Sequence, residues 1–214
     1  MSIILSVLHS PKKTFEYIRE NGGGFLVPFI AIIVATIAVA FIQLPIVERA
    51  FDLQMTENPA IEDSGMSVET FKTIAVYTSL IMTPVMVAAM TFITALLLLL
   101  VNLIARGEAK YMDLVKVSVL SSIPTVINGI LTGILVRTSD ASNVNELVLS
   151  LGAFMEQKEG IAFGLANLVN PFGLWGLALM VIGTAVMARR SMKSVGIWIV
   201  AGYIIISLPF ALLA

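Results

Sequence analysis

The sequence holds no cysteine and one histidine, His9. Without thiolates there is neither a disulfide framework nor a thiolate metal site. His9 lies outside every apolar run, so no serine–histidine pair forms within a membrane. Charge is also scarce. Of 214 residues, 13% are Asp, Glu, Lys or Arg, against about 25% in ordinary soluble domains. No acidic residue interrupts the apolar runs, which leaves nothing for a paired-aspartate protease or an intramembrane carboxylate relay. A phosphate loop of the G-x-x-x-x-G-K-[ST] form is missing. The net charge of -1 gives no basis for a nucleic-acid partner, and no residue pattern calls for a cofactor or a metal.

What is abundant is hydrocarbon. Apolar residues make up 58% of the chain, against roughly 45–50% in soluble domains. A helix crosses a bilayer core of about 30 Å with about 20 apolar residues. Five runs meet that length, at about 25–47, 73–105, 114–136, 166–188 and 195–213. The expected fold is an all-α, polytopic five-helix membrane bundle over 25–214. A cytoplasmic amphipathic lead-in, 1–24, precedes it. The opening "MSIILSVLH" is too short for a cleavable signal, so the first span is expected to stay as an anchor. The second run is long for one crossing and predicts a helix that projects beyond the bilayer and bends at Pro84.

Alternation through five spans puts nine basic residues on the side of the N-terminus and four on the other. The nine include Lys12, Lys13, Arg19, Arg106, Lys110, Arg189 and Arg190. Acidic residues divide four to ten in the opposite sense. The positive-inside rule then predicts a cytoplasmic N-terminus and an external C-terminus. Lys116, one turn into the third run, is expected to snorkel to the cytoplasmic surface.

Between the runs, "SPKKTFEYIREN" followed by Gly22, Gly23 and Gly24 predicts a short helix. Ser10 caps it, Pro11 opens it and the glycines end it. Phe15 and Ile18 on one face suit a helix lying on the membrane surface. The connection 48–72 carries Asp52, Glu57, Glu62 and Asp63 without calcium-loop spacing, and reads as a solvated loop. In 137–160, Val144, Leu147, Val148, Leu151, Phe154 and Met155 recur at helical spacing. Such a stripe packs on the bundle or docks a partner helix.

Every span carries a proline: Pro28, Pro45, Pro84, Pro124, Pro171 or Pro209. Each removes a backbone donor and frees a carbonyl that a neighbour must satisfy. Asn102, Asn128, Asn167 and Asn170 are the natural partners, with Ser121, Ser122 and Thr125. Gly129 and Gly133 stand at G-x-x-x-G spacing and permit close helix approach. These features serve packing alone, or they line a broken-helix ligand site.

Three segments carry a family likeness. "SPKKTFEYI" precedes the first span. "GEAKYMDLVKVSVLSSIPTVI" enters the third span and contains Pro124. Asn170-Pro171-Phe172 opens the fourth, followed by Trp175 and Gly183. Taken in order, they resemble the Yip-domain family of membrane proteins, named for interaction with Ypt/Rab GTPases, and its prokaryotic members in particular. The resemblance implies a helical membrane domain without established catalysis. Eukaryotic relatives serve vesicle traffic and bind small GTPases through a longer cytoplasmic region. Only about 24 residues precede the first span here, so that surface is expected to be absent. Some bacterial and archaeal members accompany ABC-type exporters.

The reading is a non-enzymatic scaffold or accessory of a membrane transport or trafficking complex in a prokaryotic plasma membrane. Its partners would be the lipid bilayer and another membrane protein or a second copy. Candidate structural or contact residues are Pro124, Asn128, Gly129, Gly133, Asn170, Pro171, Phe172 and Trp175. The alternative is a small permease or channel lined by Asn102, Asn128, Asn167 and Asn170. A head-group enzyme is third.

Overall fold

The computed structural model describes residues 3–57, 67–141 and 144–213. Two short helices, α1 (Ile3–His9) and α2 (Pro11–Asn21), lead into α3 (Leu26–Glu57) and α4 (Val68–Ile104). Then come α5 (Tyr111–Ser121), α6 (Ile123–Thr138), α7 (Gly160–Asn167), α8 (Pro171–Ala188) and α9 (Met192–Leu212). Five segments are long and apolar enough to cross a membrane: Leu26–Leu53, Val68–Ile104, Tyr111–Thr138, Pro171–Ala188 and Met192–Leu212. The chain is therefore an all-α, multi-pass membrane protein.

Element ends differ from expectation where polar chemistry extends or breaks a helix. α3 and α4 continue through most of what reads as a loop at 48–72. With 32 and 37 residues they reach about 48 and about 56 Å. Lys72 pairs with Asp52 at 2.9 Å across their ends, and the Ser67 side chain caps α4 by accepting from Thr70 N–H at 3.2 Å. Glu62 and Asp63 lie outside the described residues, as does the side chain of Glu57. The third span is two helices, interrupted at Ser122 just before Pro124. The fourth begins at Pro171 and not near residue 166, because α7 ends at Asn167 and the chain turns before re-entering as α8. The apolar stripe in 137–160 is not an α-helix. It forms two 3₁₀ turns, Val144–Leu147 and Leu151–Phe154. Leu147 is buried and Phe154 is 88% exposed.

α2 forms as the sequence predicts, with Gly22 left-handed at φ 67° and its N–H on Ile18 C=O. Two details differ. The Ser10 side chain makes no capping bond. The apolar face of α2 turns inward, so Phe15 and Ile18 are buried in the protein core and not laid on lipid. A protein groove excludes water as well as lipid does, and Phe15 also gains close packing there.

Direct bonds bring the basic turns to one end. Arg19 Nη1 donates to Val186 C=O at 2.9 Å, Glu108 N–H to Ala188 C=O at 3.1 Å, and Arg190 Nε to Arg106 C=O at 2.9 Å. The N-terminal helices, the 106–110 turn and the 189–191 turn thus share one face, as an alternation of five crossings requires. Both turns close with an arginine in the left-handed region, Arg106 at φ 53° and Arg189 at φ 52°. The cost is about 1–2 kcal/mol for a residue with a Cβ. At each helix end the following N–H reaches back five residues: Gly107 to Asn102 C=O, and Arg190 to Ala185 C=O. This is the Schellman pattern.

At the other end, arginines replace the amides expected beside the prolines. Pro45 cannot donate to Phe41 C=O. Arg137 of α6 does so at 3.0 Å, and bonds Ile42 C=O at 3.0 Å. In return Arg49 of α3 donates to Ser139 and Ala141 carbonyls, both at 2.8 Å, at the end of α6. A proline is tolerated inside α3 because a neighbouring helix satisfies the acceptor it frees.

Candidate functional site

The α5–α6 break places Ser118, Ser121, Ser122 and Thr125 on one face, at i, i+3, i+4 and i+7. That face turns into a half-enclosed chamber of about 520 Å³ between α3, α4, α5, α6, α8 and α9. None of its lining residues carries a formal charge. Ser118 Oγ donates to Thr91 C=O at 2.9 Å, joining α5 to α4. Thr36 and Thr91 each return their hydroxyl proton to a carbonyl of their own helix, and Ser122 donates to Val119 C=O of α5, all at 2.8 Å. Ser121 is 1% exposed and its Oγ has no hydrogen-bond partner.

A second hollow of about 340 Å³ lies toward the end opposite α1 and α2. Its wall includes Asn128, Ser150, Asn167 and Asn170. Gln43, Asn128 and Gly129 line both spaces and form the boundary between them. Gln43 Nε2 donates across it to Gly129 C=O at 2.8 Å.

Asn170 explains why α8 starts where it does. Its Oδ1 accepts from Phe172 N–H at 2.9 Å and Gly173 N–H at 3.1 Å, while Pro171 takes the first helical position, where no donor is needed. Asn170 Nδ2 also lies 3.5 Å from Asn128 Oδ1, a long contact between α8 and α6. Ser150 donates to Asn167 Oδ1. Tyr203 of α9 donates to Leu168 C=O at 3.0 Å, inside the α7–α8 break. Phe172 is half-buried and Trp175 is 36% exposed on the bundle's perimeter.

Asn102 belongs elsewhere. It is buried and clamps Ala109 from both sides, donating to its C=O at 3.1 Å and accepting from its N–H at 3.3 Å. A path lined by four asparagines is therefore not formed; three of them gather at the second hollow. Gly129 and Gly133 face α3 within the same chain. A Cβ on them would come within 2.9 Å of Val39 and 2.6 Å of Ile42. That face packs against α3. Pro124 is buried at the start of α6. Lys116 pairs with Asp113 at 3.1 Å. Among the described residues, no group of three or more His, Cys, Asp or Glu could hold a metal ion.

Sequence reading named Ser121, Ser122 and Thr125 as partners for the prolines, and missed Gln43, Ser118 and the face these hydroxyls make. The i, i+3, i+4, i+7 hydroxyl spacing was the available signal, but only neighbouring helices reveal whether such a face meets carbonyls, lipid or space.

The three segments that carry the family likeness converge. Phe15 of α2 and Val117 of α5 close on Gly183 of α8, where an added Cβ would lie 2.8 Å from each side chain. The glycine admits a ring that anchors the N-terminal helix to the bundle. No curated protein and no solved structure matches the chain significantly. The Yip1 domain matches residues 5–214. A match over nearly the whole chain, with its conspicuous residues meeting at one packed point, makes this chain a member of the Yip1 domain family.

Proposed function

We propose that the protein is a non-catalytic accessory or scaffold of a membrane transport or trafficking complex, an ABC-type exporter being one example. The proposed setting is a prokaryotic plasma membrane, with the N-terminus in the cytoplasm. One observation carries the reading. The end that bears α1 and α2 is braced from three elements, yet Lys13, Lys110 and Lys193 stay exposed without an ion pair among the described residues. A rigid basic platform at a membrane surface suits an acidic partner face. Family membership supports a membrane partner. The test is mild-detergent co-purification from native membranes with partner identification. A partner is expected, and its recovery should fall when Lys13, Lys110 and Lys193 become Glu. No partner from wild type, together with solute flux through liposomes, would defeat the reading.

A second reading is favoured by the two hollows on either side of Gln43, Asn128 and Gly129: a small permease or ligand-responsive protein. Its test is uptake of uncharged solutes into liposomes holding the pure chain, against empty liposomes.

A further inference from the structure

The structure assigns to the chamber a ligand class: an uncharged amphiphile with a hydroxylated head and a hydrocarbon body. The inference rests on the second reading above and deepens it. The volume of about 520 Å³ falls within the range of small-molecule pockets, about 300–1,000 Å³. Charge is ruled against by the lining, since an ion would leave water for a wall with no counter-charge. Ile32, Val39, Val87, Leu177 and Met180 supply an apolar wall. Met180 can conform to a chain of variable shape.

The head is assigned by counting protons. Thr36, Thr91, Ser118 and Ser122 already spend theirs on backbone carbonyls. Toward the chamber they offer lone pairs only. Ser121, buried and unpartnered, keeps its proton free, and Thr94 and Thr125 on the same wall donate to no protein group among the described residues. Such a wall wants a ligand that both donates and accepts hydrogen bonds. An alcohol head does both, whereas an ether or ester head only accepts. Gln43 and Asn128 at the chamber's edge add polar company for the head.

The probe is 1-decanoylglycerol. The full chain is placed in detergent-free phosphatidylcholine nanodiscs, since detergent would compete, and binding is read by native mass spectrometry and radiolabel titration. Saturable one-to-one binding is expected. Decyl sulfate, decyltrimethylammonium and the dimethyl ether of the probe should bind more weakly. Ser121→Ala should weaken binding about fivefold, the loss of one hydrogen bond. Gly173→Leu should abolish it by filling the chamber, since only Asn170 lies within 4 Å of a Cβ built there.

No saturable binding by wild type would mean a chamber holding water only and would overturn the inference. So would equal binding by the ether or by Ser121→Ala. Displacement of the probe by equimolar glycerol would point to an aqueous polyol and overturn the amphiphile. If Gly173→Leu does not fold, Ser121→Ala and the ether carry the decision. Binding without liposome flux leaves this inference standing and removes the permease reading; flux without probe binding does the reverse.

Discussion

The two ends of this bundle are built from the same apolar residues and pack in opposite ways. At the end bearing α1 and α2, much of α5 and the last two turns of α8 are packed shut. Leu114, Val115, Val117 and Leu120 are buried, as is every residue from Gly183 to Ala188. At the other end, hydroxyls and amides face space and the braces are arginines on carbonyls. The difference teaches that hydrophobicity sets how much of a membrane protein is buried in lipid or protein. It does not set where the interior is solid. Solidity follows from small residues that admit large ones, as Gly183 admits Phe15. Hollowness follows from helix breaks that leave polar side chains without facing partners.

The largest effect that would sharpen this contrast is expected from Phe15→Ala. It should cost about 3–5 kcal/mol, the range for a buried aromatic lost from a close-packed core. Thermal unfolding in mild detergent or nanodiscs measures it. A loss no greater than that of a surface substitution would break the comparison, because it would make the dense end as forgiving as the hollow one.

Arg137→Met comes next. It removes charged donors from two carbonyls, one of them freed by Pro45, and should cost about 1.5–3 kcal/mol. The companion Pro45→Ala restores the intrahelical donor to Phe41. The double variant should therefore lose less than Arg137→Met alone, as a thermal-melt cycle would reveal. Equal losses would mean that Arg137 is not repairing the proline.

Asn170→Ala should cost about 1 kcal/mol, the value of an N-cap, with the Asn170→Ser variant recovering most of it. Hydrogen exchange at Phe172 and Gly173 should rise in step. Smallest is Gly173→Ala, which should stabilise by about 0.5–1 kcal/mol. Its new Cβ meets only Asn170, at 3.7 Å, so no clash opposes the gain in helix preference. A clear destabilisation there would mean that the chamber is tighter than the geometry states.

Much of the fold was legible in the chain. Five apolar runs, the basic turns and the glycine stop of α2 each follow from local chemistry. The apolar run sets the α8 start about five residues early, at 166, although Asn170 and Pro171 carry the local signal of a cap and a first residue. The misreadings share a cause. Val144–Met155 has helical spacing, yet 3₁₀ turns form because its partners lie on other segments. Phe15 and Ile18 are amphipathic whether they face lipid or protein. Asn102 and Asn128 are the same residue type in the same kind of run, and only one of them meets a cavity.

Composition and charge order alone determined that the chain lives in a bilayer, crosses it five times and carries its basic turns at one end. Those outcomes depend on transfer free energy, which each residue brings with it. Tertiary structure alone decided which polar groups are spent and which are spare. Arg137 takes up the carbonyl that Pro45 frees, Asn102 disappears into a turn, and Ser121 is left with an unclaimed proton beside an empty space. A hydrogen bond needs its partner within about 3 Å, and no single segment of sequence states who that partner is.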